Sequence, residues 1–234
     1  MMAKGIIYLM STCVDGLVKI GKTGNDNFEQ RMKKLEKDGY RRISVLTREF
    51  AIEVDEYDEK EILLKEIFSK SRVGTSELFS VDINLVKQLM SSLDGKVIYP
   101  KDEKKEDIFI QATEEVEVKK GIIPDGKYYL KTKIKNLEYH AEAIMIVENG
   151  KIYIESGAKL APVTSKITKG WVIIRENSKI NENVTEERIE CSSPSMAAAI
   201  VCGHEKNGWN IWKNENDQYI DIYRKALNID SDEE

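Results

Sequence analysis

Cysteine, histidine and proline are scarce in this 234-residue chain, and each scarcity excludes a class of protein. Three cysteines, Cys13, Cys191 and Cys202, stand at spacings that suit neither a zinc knuckle nor a disulfide framework, so a reduced, cytoplasmic setting is expected. His140 and His204 lie far apart with no metal-ligand companions, which argues against a zinc-type centre. No apolar run approaches the ~18–20 residues that cross a bilayer, and the N-terminal run Gly5 to Met10 is shorter than a secretory core, so no membrane partner is expected. Walker and glycine-rich dinucleotide patterns are missing, and so is any tandem repeat. An excess of one charge is missing too: 33% of residues are charged, yet the net charge is only -5, so any nucleic-acid surface must be local.

What is present suggests two domains of ordinary size, each long enough to bury a core. Residues 1–95 read as a small mixed sheet flanked by helices, an α/β (α+β) domain. Residues 96–118 read as a charged linker, because Pro100 to Asp107 loses its apolar content, and the domains should be separable there. Residues 119–225 read as a second α+β domain, rich in strands with one alanine-rich helix, and residues 226–234 as an acidic tail.

In the first domain, Gly5 to Met10 and Leu17 to Gly21 form β-rich runs around Asp15-Gly16, a hairpin signal that sets Tyr8 and Lys19 facing each other. Asn25 or Asp26 is placed to cap a helix bearing Phe28, Met32 and Leu35 at helical spacing, with Gly39 as its stop and Arg31 at the edge of the apolar stripe. A phenol, an ammonium and a guanidinium brought to one place suit a phosphodiester. Ile43 to Ile52 alternates as a third strand. Asp55 to Lys70 reads as a helix on which Tyr57, Glu61, Leu64 and Phe68 share one face. Glu61 then needs a cation, which a divalent metal, an arginine or Lys65 at i+4 would supply. Glu77 is either a second acidic group or a partner for Arg72. Ile83 to Leu93 is an amphipathic helix with Leu85, Leu89 and Leu93 as its stripe. The basic run that includes Arg31, Lys33, Lys34, Lys37, Arg41, Arg42 and Arg48 is either a solvated face or a phosphate track.

Gly5-Ile6-Ile7-Tyr8, Lys19-Ile20-Gly21, Arg31 and Glu61 together resemble the signature of the GIY-YIG nucleases. The variant reading Lys-Ile-Gly is similar to the subfamily named after a meiotically up-regulated gene and also found in phages. The resemblance covers roughly the first hundred residues. It implies a metal-dependent endonuclease that hydrolyses DNA phosphodiesters, with Tyr8, Lys19, Arg31 and Glu61 as catalytic residues and Mg²⁺ or Mn²⁺ held by Glu61. Tyr8 would orient or deprotonate the attacking water, the latter requiring its pKa to fall. Lys22, Lys33, Lys34, Arg41 and Arg42 would hold flanking DNA. The chain departs from the pattern at Lys65, where many members carry histidine, and in lacking a clear counterpart of the closing asparagine. The alternatives are a catalytically inactive DNA-binding module of the same fold and a protein-interaction adaptor.

In the second domain, Lys127 to Lys133, Ala141 to Val147 and Lys151 to Glu155 read as strands, the last two joined at Asn149-Gly150, and Trp171 to Arg175 as a further strand. Ser193-Pro194 caps the helix Ser195 to Cys202, which Gly203 stops. The segment from Ser193 to Ala199, with Asn207-Gly208-Trp209 and Trp212-Lys213, resembles a domain of unknown function found at the C-termini of restriction enzymes, methyltransferases and nucleases. That resemblance implies an accessory module, one able to bind nucleic acid, and assigns no catalytic residue. Trp209 and Trp212 would either stack on bases or pack against the alanine-rich helix.

Overall fold

A computed structural model of the chain describes residues 3–40, 43, 45–101, 103–134, 140–164, 167 and 169–224. It divides into two compact units, Met1–Thr113 and Glu114–Glu234, and has the expected mixed α+β character.

In the first unit, β1 (Lys4–Ser11) and β2 (Leu17–Thr23) form the hairpin, turned through Gly16 at φ 70°. Then come α1 (Phe28–Asp38), β3 (Thr47–Asp55), α2 (Tyr57–Ile67), β4 (Leu78–Ser80), α3 (Ile83–Ser92) and β5 (Lys96–Tyr99). The strands run β4-β2-β1-β3-β5 across one antiparallel sheet, so β1 is its centre. Because strand side chains alternate between faces, β1 serves two cores. Ile7 and Leu9 pack with Leu64 of α2 and with Val86 and Met90 of α3. Ile6, Tyr8 and Met10 pack on the other face with Phe28, Met32 and Leu35 of α1.

Several sequence-level expectations shift here. Neither Asn25 nor Asp26 caps α1; they sit in a 3₁₀ turn before it, while Gly39, at φ 73°, does end the helix. The third strand, Thr47–Asp55, starts and ends later than Ile43 to Ile52, because Val45 adopts φ 59° and breaks the extended backbone. On α3 the buried apolar positions are Val86 and Met90, Leu89 and Leu93 pack against the same core, and Leu85 is exposed. Residues 96–118 are not a bare linker. β5 pairs with β3, and α4 (Lys105–Lys119) buries Ile108, Ala112 and Val116, four apart, and further on Glu114 and Val118 as well. Arg41 and Arg42, and the tail 226–234, lie outside the described residues.

The second unit contains β6 (Gly126–Lys133), β7 (His140–Glu148), β8 (Lys151–Ile154), α5 (Lys169–Asn177), β9 (Ile180–Asn181), β10 (Val184–Thr185), β11 (Ile189–Cys191) and α6 (Pro194–Cys202). Four strands make a sheet in the order β11-β8-β7-β6, and Asn149-Gly150 turns β7 into β8 with both residues at positive φ. The segment expected as a strand at Trp171 to Arg175 is helical instead. As part of α5 it carries the Arg175 side chain into the interior, where its guanidinium donates to the carbonyls of Ile200 (2.9 Å) and Ala161 (2.6 Å). All of α6 is buried, with the Ser193 hydroxyl accepting from the Met196 amide at 3.1 Å as its cap. Trp209 and Trp212 are fully buried in this core, and the Trp212 indole donates to the Pro194 carbonyl at 2.9 Å. That burial leaves neither ring a face for a base.

Glu114 is buried in this unit. Ser195 Oγ donates to its Oε1 at 2.7 Å, and its Oε2 has no hydrogen-bond partner. Burial pushes this carboxyl above its ordinary pKa of 4.5, against the lowering pull of Ser195. The folded unit therefore holds a proton that the unfolded chain releases. Its stabilising contribution is complete below the unfolded pKa and is lost as pH rises towards the folded one. Urea unfolding of the wild type and of Glu114→Gln is expected to show the glutamine variant gaining relative stability as pH climbs through this window. A pH-independent difference would contradict the assignment.

Candidate active site

The two glycines of the hairpin explain why the tyrosines lie where they do. A Cβ on Gly5 would fall 2.5 Å from the Tyr57 ring, and a Cβ on Gly21 would fall 2.5 Å from the Tyr8 hydroxyl. Each glycine is thus the floor beneath an aromatic ring, a close approach that any side chain would block. The hairpin register pairs Tyr8 with Gly21 and Met10 with Lys19. Tyr8 and Lys19 are therefore diagonal neighbours on one face rather than directly opposed, with Lys19 Nζ 5.5 Å from the Tyr8 ring centre and 4.2 Å from that of Tyr40.

Arg31 reaches the same place from α1, where its Nε donates to the Tyr8 hydroxyl at 3.4 Å. Burial pushes the Tyr8 phenol above 10.0, and Arg31 only partly offsets it. Tyr8 is therefore a neutral hydroxyl at neutral pH.

Lys19 is fully buried. Burial pushes its pKa below 10.5, against the pull of Glu77, whose carboxylate touches its ammonium. That direct contact keeps the pair ionised. For Glu77, burial would raise the pKa, but Lys19 and then Lys65 carry it below 4.5. Glu77 is the residue that the sequence left open. It does not pair with Arg72, whose guanidinium instead donates to the carbonyls of Ser76 (2.6 Å) and Thr75 (3.4 Å). Arg72 thereby braces the turn that leads into β4, and β4 pairs with β2 alongside Lys19.

Glu61 comes from α2, with its side chain 4% exposed. Lys65 Nζ lies against its Oε1 as an ion pair, although that oxygen has no partner in hydrogen-bond geometry. Lys65 Nζ also stands 3.4 Å from Glu77 Oε1. Lys22 Nζ is 3.6 Å from Glu61 Oε2 and closer, at 2.7 Å, to Asp58, which raises the Lys22 pKa. The cluster thus sets Lys19, Lys22, Arg31 and Lys65 against Asp58, Glu61 and Glu77, one positive charge in excess. Lys33 and Lys34 are exposed on α1, and no contact ties them to this cluster. Arg48, from the same basic run, is held by Glu36 (2.7 Å) and Glu29 (3.2 Å).

Among the described residues no three acidic, histidine or cysteine side chains converge as a metal cage. A hard cation that keeps most of its waters needs less: one buried carboxylate oxygen open to it. Glu61 Oε1 is the buried carboxylate oxygen of this cluster, and it would meet that requirement only with the Lys65 ammonium moved off it. A cleft of about 760 Å³ lies elsewhere, in the second unit beside Tyr129 and Tyr219. Two ion pairs line it, Lys131 with Glu142 at 3.4 Å and Lys213 with Asp217 at 2.8 Å.

Residues 5–94 match the T5orf172 domain, a nuclease-like domain. Residues 140–224 match a domain of unknown function, DUF4357. The T5orf172 match spans the whole of the cluster just described, from Tyr8 to Glu77. No curated protein and no solved structure matches the chain. Among the described residues no helix is long and apolar enough to cross a membrane.

Proposed function

We propose that the T5orf172 unit is a GIY-YIG-type endonuclease that hydrolyses DNA phosphodiester bonds with Mg²⁺ or Mn²⁺ on Glu61. The observation that carries this reading is the convergence of Tyr8, Lys19, Arg31 and Glu61, from four elements, on one cluster of net positive charge. When bound, the cation supplies Lewis-acid stabilisation of phosphoryl charge and a water of lowered pKa. Arg31 pairs with a non-bridging phosphoryl oxygen and neutralises charge that grows there in the transition state. Tyr8, whose hydroxyl already accepts from Arg31, holds the attacking water by a hydrogen bond. Lys19, kept charged by Glu77, stands behind Tyr8 and adds positive potential at the phosphate. Lys22 turns from Asp58 to a flanking phosphate. Glu61 would hold the cation, more tightly once the substrate's own phosphate oxygens share in the binding. The DUF4357 unit would then serve as an accessory module.

The test is incubation of the wild-type chain and Arg31→Ala with linear and branched duplexes in Mn²⁺, alongside binding measured at several salt concentrations. Cleavage by the wild type, falling about 10²-fold or more in Arg31→Ala, is expected, with binding that weakens as salt rises. Salt-dependent binding without cleavage on any substrate would make the unit a DNA-binding module. No binding at all would favour a protein-interaction adaptor.

A further inference from the structure

The Glu61 carboxylate is nearly sealed from water, and the ammonium against its Oε1 belongs to its own helix, one turn on at Lys65. Its other oxygen, Oε2, faces Lys22, which is committed more closely to Asp58. A divalent cation approaching Glu61 Oε1 meets the Lys65 ammonium at contact distance. Two cations cannot share one oxygen in so poorly hydrated a place, because their repulsion is little screened. The ammonium has somewhere to go. Glu77 Oε1 is 3.4 Å from Lys65 Nζ, and the other Glu77 oxygen is already occupied by Lys19.

We propose that Lys65 is a resident counterion competing with the divalent cation for Glu61, and that the cation enters by displacing the ammonium onto Glu77. This inference rests on the reading of Glu61 as the metal-binding carboxylate. Glu77 is then a positioning residue: it touches neither metal nor phosphate but receives the displaced charge. The arrangement keeps a buried carboxylate neutralised at rest, where an unpaired charge would be costly, and sets the metal affinity by the difference between two ion pairs.

The test is Mn²⁺ binding by the full chain without DNA, followed by electron paramagnetic resonance of the free ion. Lys65→Gln is expected to bind Mn²⁺ about tenfold tighter than wild type or more, and Glu77→Gln several-fold weaker. In the Lys65→Gln background, Glu77→Gln should lose most of its effect, because no ammonium remains to be received. Glu61→Gln should abolish binding in every background and leave the free-ion signal at full height. Should Lys65→Gln fold poorly, Lys65→Met keeps the aliphatic stem and should show the same gain. Equal affinities of the wild type and the Lys65 variants would overturn the proposal. So would a Glu77→Gln loss undiminished in the Lys65→Gln background, or no Mn²⁺ binding by any variant at millimolar concentration. Because no DNA is present, tighter binding by Lys65→Gln in a chain that cleaves nothing would leave this inference standing and remove the nuclease reading. Cleavage with unchanged Mn²⁺ affinity would do the reverse.

Discussion

Glu61→Gln is expected to lower Mn²⁺-dependent cleavage by about 10²–10⁴-fold while leaving metal-free DNA binding unchanged or slightly tighter. Glutamine preserves the shape of the side chain but removes the charge that fixes a hard cation. Metal-free binding does not suffer, since one negative charge leaves the neighbourhood of a phosphate. Some stability is lost as well. Glu61 is buried and its partner Lys65 is 17% exposed, so the pair is not a surface bridge of negligible worth. Yet Lys65 retains Glu77 as a partner, which holds the expected loss to about 1–2 kcal/mol rather than the larger cost of stranding a buried charge. Single-turnover cleavage by folded wild type and variant, with urea unfolding as the control, separates the two effects. Equal cleavage rates would remove Glu61 from the chemistry, whatever the stability change.

The second large effect belongs to the other unit. Trp212→Ala should destabilise it by about 3–5 kcal/mol, a substantial part of the ~5–15 kcal/mol that holds an ordinary domain together. The indole is fully buried against a helix that is itself wholly buried, so its removal leaves a large cavity that close-packed neighbours cannot fill. The deletion also removes the indole N–H that donates to the Pro194 carbonyl. Trp212→Phe keeps much of the apolar volume and should lose less, chiefly through that hydrogen bond. All three tryptophans, Trp171, Trp209 and Trp212, lie in the second unit, so fluorescence reports on its unfolding alone, and two emitters remain in either variant. Unchanged stability together with weakened binding of single-stranded DNA would reverse the assignment and make Trp212 a stacking residue.

The parts of the site that could be read from the sequence are those whose information is local. The hairpin follows from Asp15-Gly16 between two β-rich runs, and the ends of α1 and α6 follow from Gly39 and Gly203. Glu61 stood out because a carboxylate on an apolar helical stripe needs an explanation. Glu77 did not, since its principal partner, Lys19, is 58 positions away and only the pairing of β2 with β4 brings them together. Arg72, the nearby cation that sequence distance favoured, is spent on backbone carbonyls. The charged stretch 96–118 misled for a related reason. The gap in apolar residues is confined to Pro100 to Asp107, and from Ile108 onward Ile108, Ala112 and Val116 fall at helical spacing and are buried on α4. Around Trp171 the β-branched residues suggested a strand, yet the buried contacts of the Arg175 guanidinium belong to a helix. The hairpin glycines were visible as letters, whereas their cause, the Tyr57 and Tyr8 rings resting on bare backbone, required coordinates.

The first unit's sheet places its chemistry on inner strands, and its outermost strands are notably brief. β4 has three residues, and Arg72 is bridged to Phe79 across it. β5 has four, opens with Lys96 and runs straight into Pro100, which has no amide proton to offer. An exposed strand edge invites another chain to add itself, and short edges guarded by a bridge, a lysine and a proline give an incoming strand little to hold. The unit can therefore carry a long central hairpin without also presenting a template for its own aggregation.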